Sequence, residues 1–518
     1  MIVEDQSEVI SFLSTPGTLG AGAAPNRVDT HASVVFLTEE NAYKLKRAVR
    51  FPYLDYSTVD RRHRFCEAEV AVNRRTAPDL YEGVLAVTRA PGGELELGGD
   101  GEAVDWLVVM HRFDEETRFD RLAQKGALDR FAMEDLADAI TRFHAAAEHR
   151  PGAGGGVGMA TIVENNAASF HECPSGILDG TAVEALNEAA RAVVARSAPI
   201  LDARRDEGRV RHCHGDLHLR NIFLYAGRAT LFDAIEFSDF FADIDVLYDL
   251  AFLIMDLDHQ NLRGLASILL NRYLDVTADS GGLAVMLLLC LSMRAAIRAF
   301  VDAVATANQS DSKVADHLRG EARRYLDAAR AYLEPHEPRL VAIGGLSGSG
   351  KSRISRELAP RIGSAPGARI VRTDSTRKRL AGVPLGSRLG PDGYTPEMTQ
   401  RTYEAVYEEV AEVLATGQSV IADAVFADRG EREAMARIAA EVGVTFDGLW
   451  LDAPAGTMQE RVMRRRRNVS DATAAVVRIQ LGYDLGAIDW HRVDTSGPRE
   501  ISVGRALDCL GLEDSNAR

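Results

Sequence analysis

The stretch at residues 345–352, which reads GLSGSGKS, constrains the fold of this chain more than any other stretch. It matches the pattern G-x-x-x-x-G-K-[ST], in which a glycine-rich loop surrounds the phosphates of a nucleoside triphosphate. Residues 340–343 are apolar and predict a buried strand before the loop, and residues 354–358 predict the start of a helix after it. A strand, a glycine loop and a helix are the context that the motif requires. The pattern therefore predicts an α/β P-loop domain that binds a nucleoside triphosphate.

The residues of this loop are suited to holding phosphate groups. Glycines let backbone N–H groups surround phosphate oxygens, and the N-terminus of the following helix adds partial positive charge. Lys351 is predicted to reach the β- and γ-phosphates and to act in catalysis, and Ser352 is predicted to ligate Mg²⁺. The predicted nucleotide-binding residues are Gly345, Ser347, Gly348, Ser349, Gly350, Lys351 and Ser352.

Composition and charge argue against several other classes of function. The chain has 518 residues, enough for two to four domains at roughly 100–200 residues each. Its net charge of −16 disfavours broad binding to nucleic acid or to an anionic membrane. The longest apolar run, residues 283–293, is too short to span a bilayer and predicts a buried helix. We therefore expect no membrane partner.

Cysteine usage and the N-terminal residues predict the compartment. The five cysteines are far apart and odd in number, and none forms a C-x-x-C pair, so neither a disulfide framework nor a zinc site is expected. The first residues are acidic and lack the layout of a signal peptide. Together these features favour a cytoplasmic protein.

Two lysines and a charged helix stand out near the N-terminus. Residues 33–37 predict a strand, and residues 42–49 predict the strand that returns beside it. Lys44 and Lys46 are two residues apart on the second strand, so both point to one face. Residues 58–76 predict a helix, on which Glu67 and Glu69 face different ways, so at most one of them could meet a strand lysine.

A loop in the middle of the chain carries catalytic spacing. Asp216 and Asn221 are five residues apart in HCHGDLHLRNIFL, and Asp233 follows twelve residues later after an apolar strand. Kinases place their catalytic base and a metal-binding Asn at the same interval in H-R-D-x-x-x-x-N. This spacing predicts that Asp216 accepts the proton of a substrate hydroxyl, while Asn221 and Asp233 hold Mg²⁺.

The segments HGDLHLRNI, LFDAIEF and DIDVLYDLAFL resemble the aminoglycoside phosphotransferase-like branch of the protein-kinase fold, over about residues 30–330. The resemblance implies an α+β, bilobal, protein-kinase-like domain at residues 1–335, with an N-lobe at about 1–112, a C-lobe at about 113–335 and ATP between them. It implies that Lys44, or else Lys46, pairs with the phosphates of ATP. It further implies that Glu69, or else Glu67, orients that lysine, and that Asp245 and Asp249 brace the C-lobe.

This part of the chain departs from the kinase pattern at one place. The glycine motif G-x-G-x-x-G does not precede the lysine strand, where residues 29–33 stand instead. Antibiotic-modifying relatives also tolerate a glycine-poor loop. His212 and His214 flank the catalytic loop and are expected to be structural. Residues 152–158, which read GAGGGVG, are expected to form a flexible loop.

The C-terminal part places acidic and basic residues after predicted strands. Asp374 ends one such strand, where ligands of open α/β sheets bind, and is predicted to be a general base, although a helix N-cap is the alternative. Arg377 and Lys378 follow and are predicted to contact the substrate. Asp423 ends another strand and is predicted to ligate the metal. Arg461 and Arg465 share a helix face and are predicted to close over the phosphates.

The segments GGLSGSGKS, TDSTRKRL, VIADAVF and ERVMRRRRNVSDA resemble P-loop kinases such as the gluconate-kinase-like, zeta-toxin-like and 5′-hydroxyl polynucleotide kinases. The resemblance covers residues 339–512 and leaves a tail at 513–518. It implies Asp374 as the base, Arg377 as a substrate contact, and Arg461 or Arg465 as a lid arginine. The order of the two domains resembles a bacterial fusion of an aminoglycoside phosphotransferase-like domain with an ATP-binding protein.

These observations predict an ATP- and Mg²⁺-dependent phosphotransferase with two nucleotide sites, acting on a hydroxyl group of a small molecule. No motif that reads the base distinguishes ATP from GTP. In the alternative, the N-terminal domain is a non-catalytic sensing module and the P-loop domain alone is an active kinase. A 5′-hydroxyl polynucleotide kinase in the C-terminal domain is less favoured because of the acidic net charge. The sequence makes no prediction of the oligomeric state.

Overall fold

The computed structural model describes residues 3–20, 22–51, 53–283, 286–307, 309–464 and 469–512. The chain divides into two compact units. The first contains Met1–Gly158 and Asp202–Leu253, and the second contains Met159–Leu201 and Ile254–Arg518. The domain boundary predicted at residues 335–339 therefore lies within the second unit, and the predicted domain limits stay predictions.

An antiparallel sheet forms the N-terminal part of the first unit. Its strands lie in the order β1-β2-β3-β8-β6-β7, and β4 and β5 form a separate short pair. The strand bounds are β1 Asn26–Asp29, β2 Ser33–Leu37, β3 Asn41–Lys46, β4 Arg50–Phe51, β5 Leu54–Asp55, β6 Tyr81–Arg89, β7 Leu95–Leu97 and β8 Glu102–His111.

The alternation of side chains along β3 sets the environment of its lysines. Leu45 is fully buried on one face of the sheet, where it packs with Phe36 and with Leu13 of the helix Ser7–Ser14. Since neighbouring residues of a strand point to opposite faces, Lys44 and Lys46 point to the other face. There they contact the helix Val59–Asn73, and the predicted sharing of one face by the two lysines is observed.

The rest of the first unit is helical with short strand pairs. Strand β9, Val210–His212, pairs with β12, Asp243–Asp245, and β10, Ile222–Tyr225, pairs with β11, Arg228–Leu231. The helices here and at the unit limits are Phe119–Gln124, Arg130–Ala146, Gly155–His171, Gly180–Asp206, Asp239–Ala242 and Val246–His259. The expectation of a flexible loop over residues 152–158 is wrong in part, because a helix begins at Gly155.

The second unit combines helices with a five-stranded sheet. The helices before the sheet are Arg263–Thr277, Leu291–Ala307 and Ser312–Tyr332, with a π-helical turn at Met286–Cys290. The strands are β13 Arg339–Gly344, β14 Arg369–Arg372, β15 Val420–Asp423, β16 Thr445–Asp452 and β17 His491–Asp494. The helices that follow them are Lys351–Leu358, Thr373–Leu380, Pro396–Ala415, Arg429–Val442, Ala455–Met463, Ala474–Gln480 and Arg499–Leu510.

The sheet of the second unit is parallel throughout, in the order β14-β15-β13-β16-β17. Its register pairs Asp423 with Ile343 on one side and with Arg372 on the other. The carboxyl ends of β13, β14 and β15 therefore meet at one edge, where open α/β sheets bind their ligands. Strand β17 was not predicted, and β14 ends two residues earlier than the predicted strand.

The predicted fold class is confirmed in both parts. The N-terminal region is a kinase-like α+β domain, and the C-terminal region is an α/β P-loop domain with a parallel sheet. Among the described residues, no helix combines the length and the apolar character needed to cross a membrane.

Candidate functional sites

A buried cluster of charged side chains links β3 to the helix Val59–Asn73 in the first unit. The Lys44 Nζ donates to Glu69 Oε1 at 2.8 Å and to Asp233 Oδ1 at 2.8 Å. The Lys46 Nζ donates to Glu69 Oε2 at 2.6 Å and also contacts Glu236. A single carboxylate, that of Glu69, therefore binds both predicted lysines.

The charges of this cluster stabilise one another. Burial raises the pKa of the Glu69 carboxyl, but Lys44 and Lys46 outweigh that effect and lower it to about 2. Burial lowers the pKa of the Lys44 ammonium, whereas Asp233 and Glu69 raise it well above its usual value. Glu69 is thus held as a carboxylate and Lys44 as a cation, and a cation is the state in which a lysine binds the phosphates of a nucleotide.

Sequence reasoning named only some members of this cluster. Lys46 was the alternative lysine, yet its side chain is 1% exposed and contacts two carboxylates. The Tyr56 hydroxyl donates to Glu236 at 2.6 Å. Neither Tyr56 nor Glu236 was predicted from the sequence. The available signal for Glu236 was its place in LFDAIEF, three residues after Asp233. Glu67 lies outside the cluster, exposed and 3.3 Å from His63.

The catalytic-loop residues of the first unit form a second hydrogen-bonded group. The Asn221 side-chain amide donates to the Asp216 carboxylate at 2.9 Å and to its backbone carbonyl at 3.0 Å. Since the nitrogen of this amide is the donor, its oxygen is the atom able to ligate a cation. The Asp216 side chain is 37% exposed and lies 3.3 Å from His218 Nε2.

Buried side chains hold this loop and the segment that carries Asp233. The fully buried Asp249 accepts hydrogen bonds from the backbone N–H groups of His214 and Gly215, at 3.1 and 2.9 Å. The His214 Nε2 lies 3.0 Å from the carbonyl of Phe232, the residue before Asp233. Burial lowers the pKa of the His214 imidazole. These contacts agree with the structural roles expected of Asp249 and His214.

The glycine loop of the second unit leaves no room for side chains at two positions. A Cβ at Gly348, where φ is +90°, would lie 2.4 Å from the Met458 carbonyl oxygen. A Cβ at Gly345, where φ is +138°, would lie 2.6 Å from the Leu451 carbonyl oxygen. The loop then enters the helix Lys351–Leu358 through Gly350, whose φ of +105° also favours glycine.

Asp423 is a buried carboxylate beside this loop. Burial raises its pKa, while the charges of Lys351 and Arg372 and a hydrogen bond from Ser352 oppose the rise. Its Oδ2 has no hydrogen-bond partner among the described residues. A buried oxygen of this kind is costly unless it is bound, and carboxylate and hydroxyl oxygens are ligands that Mg²⁺ prefers. Ser352 and Asp423 therefore fit a divalent cation.

Other polar groups also converge on the loop. The Lys351 Nζ donates to the carbonyl oxygens of Gly345 at 2.7 Å and Leu346 at 3.1 Å. The Arg461 Nη2 donates to the Thr495 carbonyl at 2.6 Å. In the described part of the chain, Arg461 Nη1 and Ser349 Oγ are buried without a hydrogen-bond partner. Arg461 therefore lies beside the glycine loop, and its role as one of the two predicted lid arginines stays a prediction. Arg465, the other, lies outside the described residues.

The predicted base and substrate residues lie on the helix Thr373–Leu380. Asp374 is in its first turn, and the N-cap position belongs to Arg372, so the alternative that Asp374 is the N-cap does not hold. The Arg377 Nη1 donates to the Gly393 carbonyl at 3.0 Å, and its guanidinium lies over the Tyr394 ring. Burial and Asp471 raise the pKa of the Tyr394 hydroxyl, and the charge of Asp374 adds to that rise.

Lys378 is a buried residue with protein partners. Its Nζ donates to the Leu385 carbonyl at 3.0 Å and to Asp471 Oδ1 at 3.1 Å, and its side chain is 1% exposed. Asp471 also accepts from the Tyr394 hydroxyl at 3.0 Å. This geometry favours a role in positioning the segment around Tyr394, and direct contact of Lys378 with a substrate stays a prediction.

Comparison with known proteins follows the two-part organisation. Residues 340–483 match a family model described as an AAA domain, and residues 23–287 match one described as the phosphotransferase enzyme family. Uncharacterized proteins of Mycobacterium tuberculosis and Mycobacterium bovis are each 29% identical over 489 residues, which cover 92% of this chain and 94% of theirs.

Two solved structures are also similar to part of this chain. A choline/ethanolamine kinase family protein from Mesorhizobium loti is 13% identical, with a TM-score of 0.38, and the match covers 62% of this chain and 97% of that one. A gluconokinase from Sinorhizobium meliloti is 21% identical, with a TM-score of 0.26, and the match covers 34% of this chain and 93% of that one.

The phosphotransferase model alone spans more than half of the 518 residues. The AAA model begins in β13 and includes the glycine loop. The chain therefore belongs to the phosphotransferase enzyme family, as a two-domain fusion in which a P-loop domain follows the phosphotransferase part.

Proposed function

We propose that this chain is an ATP- and Mg²⁺-dependent phosphotransferase with two nucleotide sites, one in each of two domains at residues 1–335 and 339–512. Each site transfers the γ-phosphoryl group to a hydroxyl group of a small molecule. The observation that carries the proposal is Asp423, whose buried Oδ2 has no partner among the described residues and which lies beside Ser352 of the glycine loop.

At the P-loop site, the loop N–H groups and Lys351 bind the phosphates of ATP. Ser352 and Asp423 hold Mg²⁺, which neutralises phosphate charge when it is bound. Asp374 accepts the proton of the acceptor hydroxyl, whose oxygen forms the new bond to phosphorus while ADP leaves. Arg461 stabilises the charge of the transferring group, and Arg377 orients the acceptor.

At the site in the first unit, Lys44 pairs with the phosphates and Glu69 fixes its position. Asp216 accepts the proton of the acceptor, and Asn221 and Asp233 hold the metal ion. The contacts of Lys44 with Glu69 and Asp233, both at 2.8 Å, support this assignment because they bring the three predicted residues together. Lys46 neutralises Glu69 from the other side, so that Lys44 keeps part of its charge for phosphate.

The test is turnover of γ-labelled ATP with a panel of sugars, aminoglycosides, nucleosides and 5′-hydroxyl RNA. Wild type is compared with Asp216→Ala and Asp374→Ala, each of which should abolish transfer to a different acceptor. Transfer that survives both substitutions unchanged contradicts the assignment of the two bases. Transfer to RNA with a steep salt dependence favours a polynucleotide kinase over a small-molecule kinase.

A second pair of variants tests whether the site in the first unit transfers phosphoryl groups from ATP or only binds the nucleotide. Lys44→Ala and Lys351→Ala each remove a phosphate-binding cation from one site. We expect each variant to abolish one activity and spare the other. Full activity in Lys44→Ala, with none in Lys351→Ala, means instead that the first site only binds and senses.

A further inference from the structure

One helix of the phosphotransferase part packs directly on the P-loop sheet. This interface helix, Arg263–Thr277, lies within the residues that match the phosphotransferase model, and β14 lies within those that match the AAA model. Both elements belong to the second compact unit. The contact therefore connects the two halves of the fusion at the strand that leads to the predicted base, Asp374.

Asn271 of the interface helix completes the edge of the sheet. Strand β14 is an edge strand, and the outward backbone groups of an edge strand need partners. The Ile370 N–H donates to Asn271 Oδ1 at 2.7 Å, and Asn271 Nδ2 donates to the Ala368 carbonyl oxygen at 3.2 Å. The side-chain amide thus takes the place of the peptide group of a neighbouring strand.

Asp275, one helical turn later, reaches the end of the same strand. It is fully buried and accepts hydrogen bonds from Arg369 Nη1 at 2.8 Å and Ser375 Oγ at 2.9 Å. It also forms an ion pair with Arg372. Burial raises the pKa of the Asp275 carboxyl, but Arg372 and Arg369 outweigh that effect and hold it below its usual value.

Two of these partners border the predicted catalytic groups. Arg372 is the last residue of β14 and is paired in register with Asp423. Burial raises the pKa of the Asp423 carboxyl, and the charge of Arg372 opposes that rise. Ser375 directly follows Asp374 in the first turn of its helix. Asp275 consequently binds on both sides of Asp374 in the sequence, and it fixes the junction from which Asp374 projects.

We propose that Asp275 is a positioning residue of the P-loop site, which holds Arg372 and Ser375 so that Asp374 and Asp423 face the nucleotide and the acceptor. Phosphoryl transfer at the P-loop then depends on a helix supplied by the phosphotransferase half of the chain. This inference rests on the proposed function of the P-loop site. It assigns Asp275 no contact with substrate.

The test compares Asp275→Asn with Glu409→Gln in the full-length chain. Glu409 is the matched control because it is also buried and also binds Arg369, at 2.8 Å, but its other basic partner is Arg379. Both substitutions remove one carboxylate charge from the Arg369 cluster at nearly constant volume. Only Asp275→Asn weakens the hold on Arg372 and Ser375.

The probe is ATP with water as the acceptor, which requires no identified substrate. The relevant rate is the part of ATP hydrolysis that Lys351→Ala abolishes, and the affinity for ATP is measured beside it. We expect Asp275→Asn to lower kcat about tenfold with the ATP affinity within twofold of wild type, because a misplaced base slows the chemical step while the glycine loop is intact. Glu409→Gln should leave kcat within twofold.

Three outcomes overturn the inference: unchanged kcat in a folded Asp275→Asn, an equal loss of kcat in Glu409→Gln, or a loss confined to ATP affinity. If Asp275→Asn does not fold, Ser375→Ala and Arg372→Gln replace it, and normal kcat in both contradicts the inference. If Lys351→Ala changes neither hydrolysis nor ATP binding, the proposed function of the P-loop site fails instead. The two failures are thereby distinguished.

Discussion

Replacement of Lys46 by methionine tests the buried charge cluster of the first unit. Methionine keeps the unbranched shape of the side chain but removes the ammonium that lies 2.6 Å from Glu69 and contacts Glu236. Glu69 keeps Lys44 as its partner, and Glu236 keeps the Tyr56 hydroxyl. The substitution therefore leaves three buried or partly buried carboxylates, those of Glu69, Asp233 and Glu236, with one lysine.

The size of the effect follows from the pKa of Glu69. Burial raises that pKa, yet Lys44 and Lys46 lower it from 4.5 to about 2, which corresponds to a net stabilisation of about 3 kcal/mol after the cost of burial. Because the pKa is lowered in the folded state, this stabilisation is complete above pH 4.5 and is lost as the pH falls through about 2. Removing one partner of a buried ion pair costs about 3–5 kcal/mol. We expect a loss of about 3 kcal/mol at pH 7.

Hydrogen–deuterium exchange is the appropriate assay because the chain has two compact units, and proteins of more than one domain commonly do not unfold in a single two-state step. The free energy of opening is read from peptides that cover β3 and the helix Val59–Asn73. The control is Lys125→Met, which removes an exposed pair with Glu116 at 2.5 Å and should cost less than about 1 kcal/mol. The difference between Lys46→Met and wild type should shrink as the pH falls, since carboxylates without a cation can take up protons. Equal losses in the two variants would refute the argument that burial gives Lys46 its importance.

Three further predictions concern the second unit. Gly348→Ala should destabilise the P-loop domain by about 2 kcal/mol more than Gly417→Ala and should also weaken ATP binding. Both glycines have φ near +90°, but a Cβ at Gly348 would meet the Met458 backbone, whereas no described atom lies within 4 Å of a Cβ at Gly417. Thermal denaturation and ATP titration check this prediction, and equal effects of the two substitutions contradict it. The affinity for Mg²⁺ in the presence of ATP should fall as the pH drops through the raised pKa of Asp423, because a protonated carboxyl is a poor metal ligand. Calorimetric titration at several pH values measures this fall, and Asp423→Asn should remove it. Asn271→Leu should speed amide exchange at Ile370, because the substitution removes the acceptor of the Ile370 N–H group and an unpaired buried group costs about 1–3 kcal/mol. Unchanged exchange would show that the edge strand does not need the helix.

The candidate residues of both proposed sites could be predicted from the sequence wherever they depend on short spacings. The glycine loop, Asp216 with Asn221, and the shared face of Lys44 and Lys46 all follow from distances of a few residues along one element. Local geometry imposes such patterns because a strand repeats every two residues and a P-loop needs glycine at set positions. The parallel sheet was likewise predictable from alternating apolar strands and helices.

Which lysine meets which carboxylate could not be predicted in the same way. Period-two alternation puts Lys44 and Lys46 on one face, and helical geometry allows only one of Glu67 and Glu69 to point at them. The structure selects Glu69 and gives it to both lysines, because the helix Val59–Asn73 crosses that face with Glu69 inward. The packing of that helix on the sheet is a long-range property, and single-strand periodicity carries no information about it.

The sequence by itself predicted the two sets of candidate site residues: a glycine loop with its lysine and serine, and an Asp–Asn–Asp set with kinase spacing. Only the tertiary structure decided the partners that come from afar. Lys44 meets Asp233 across 189 residues, and Arg369 meets Asp275 across 94. Such pairs form because packing a folded chain closes long loops and buries charges that must then be matched. No local pattern encodes which carboxylate will complete a given buried cation.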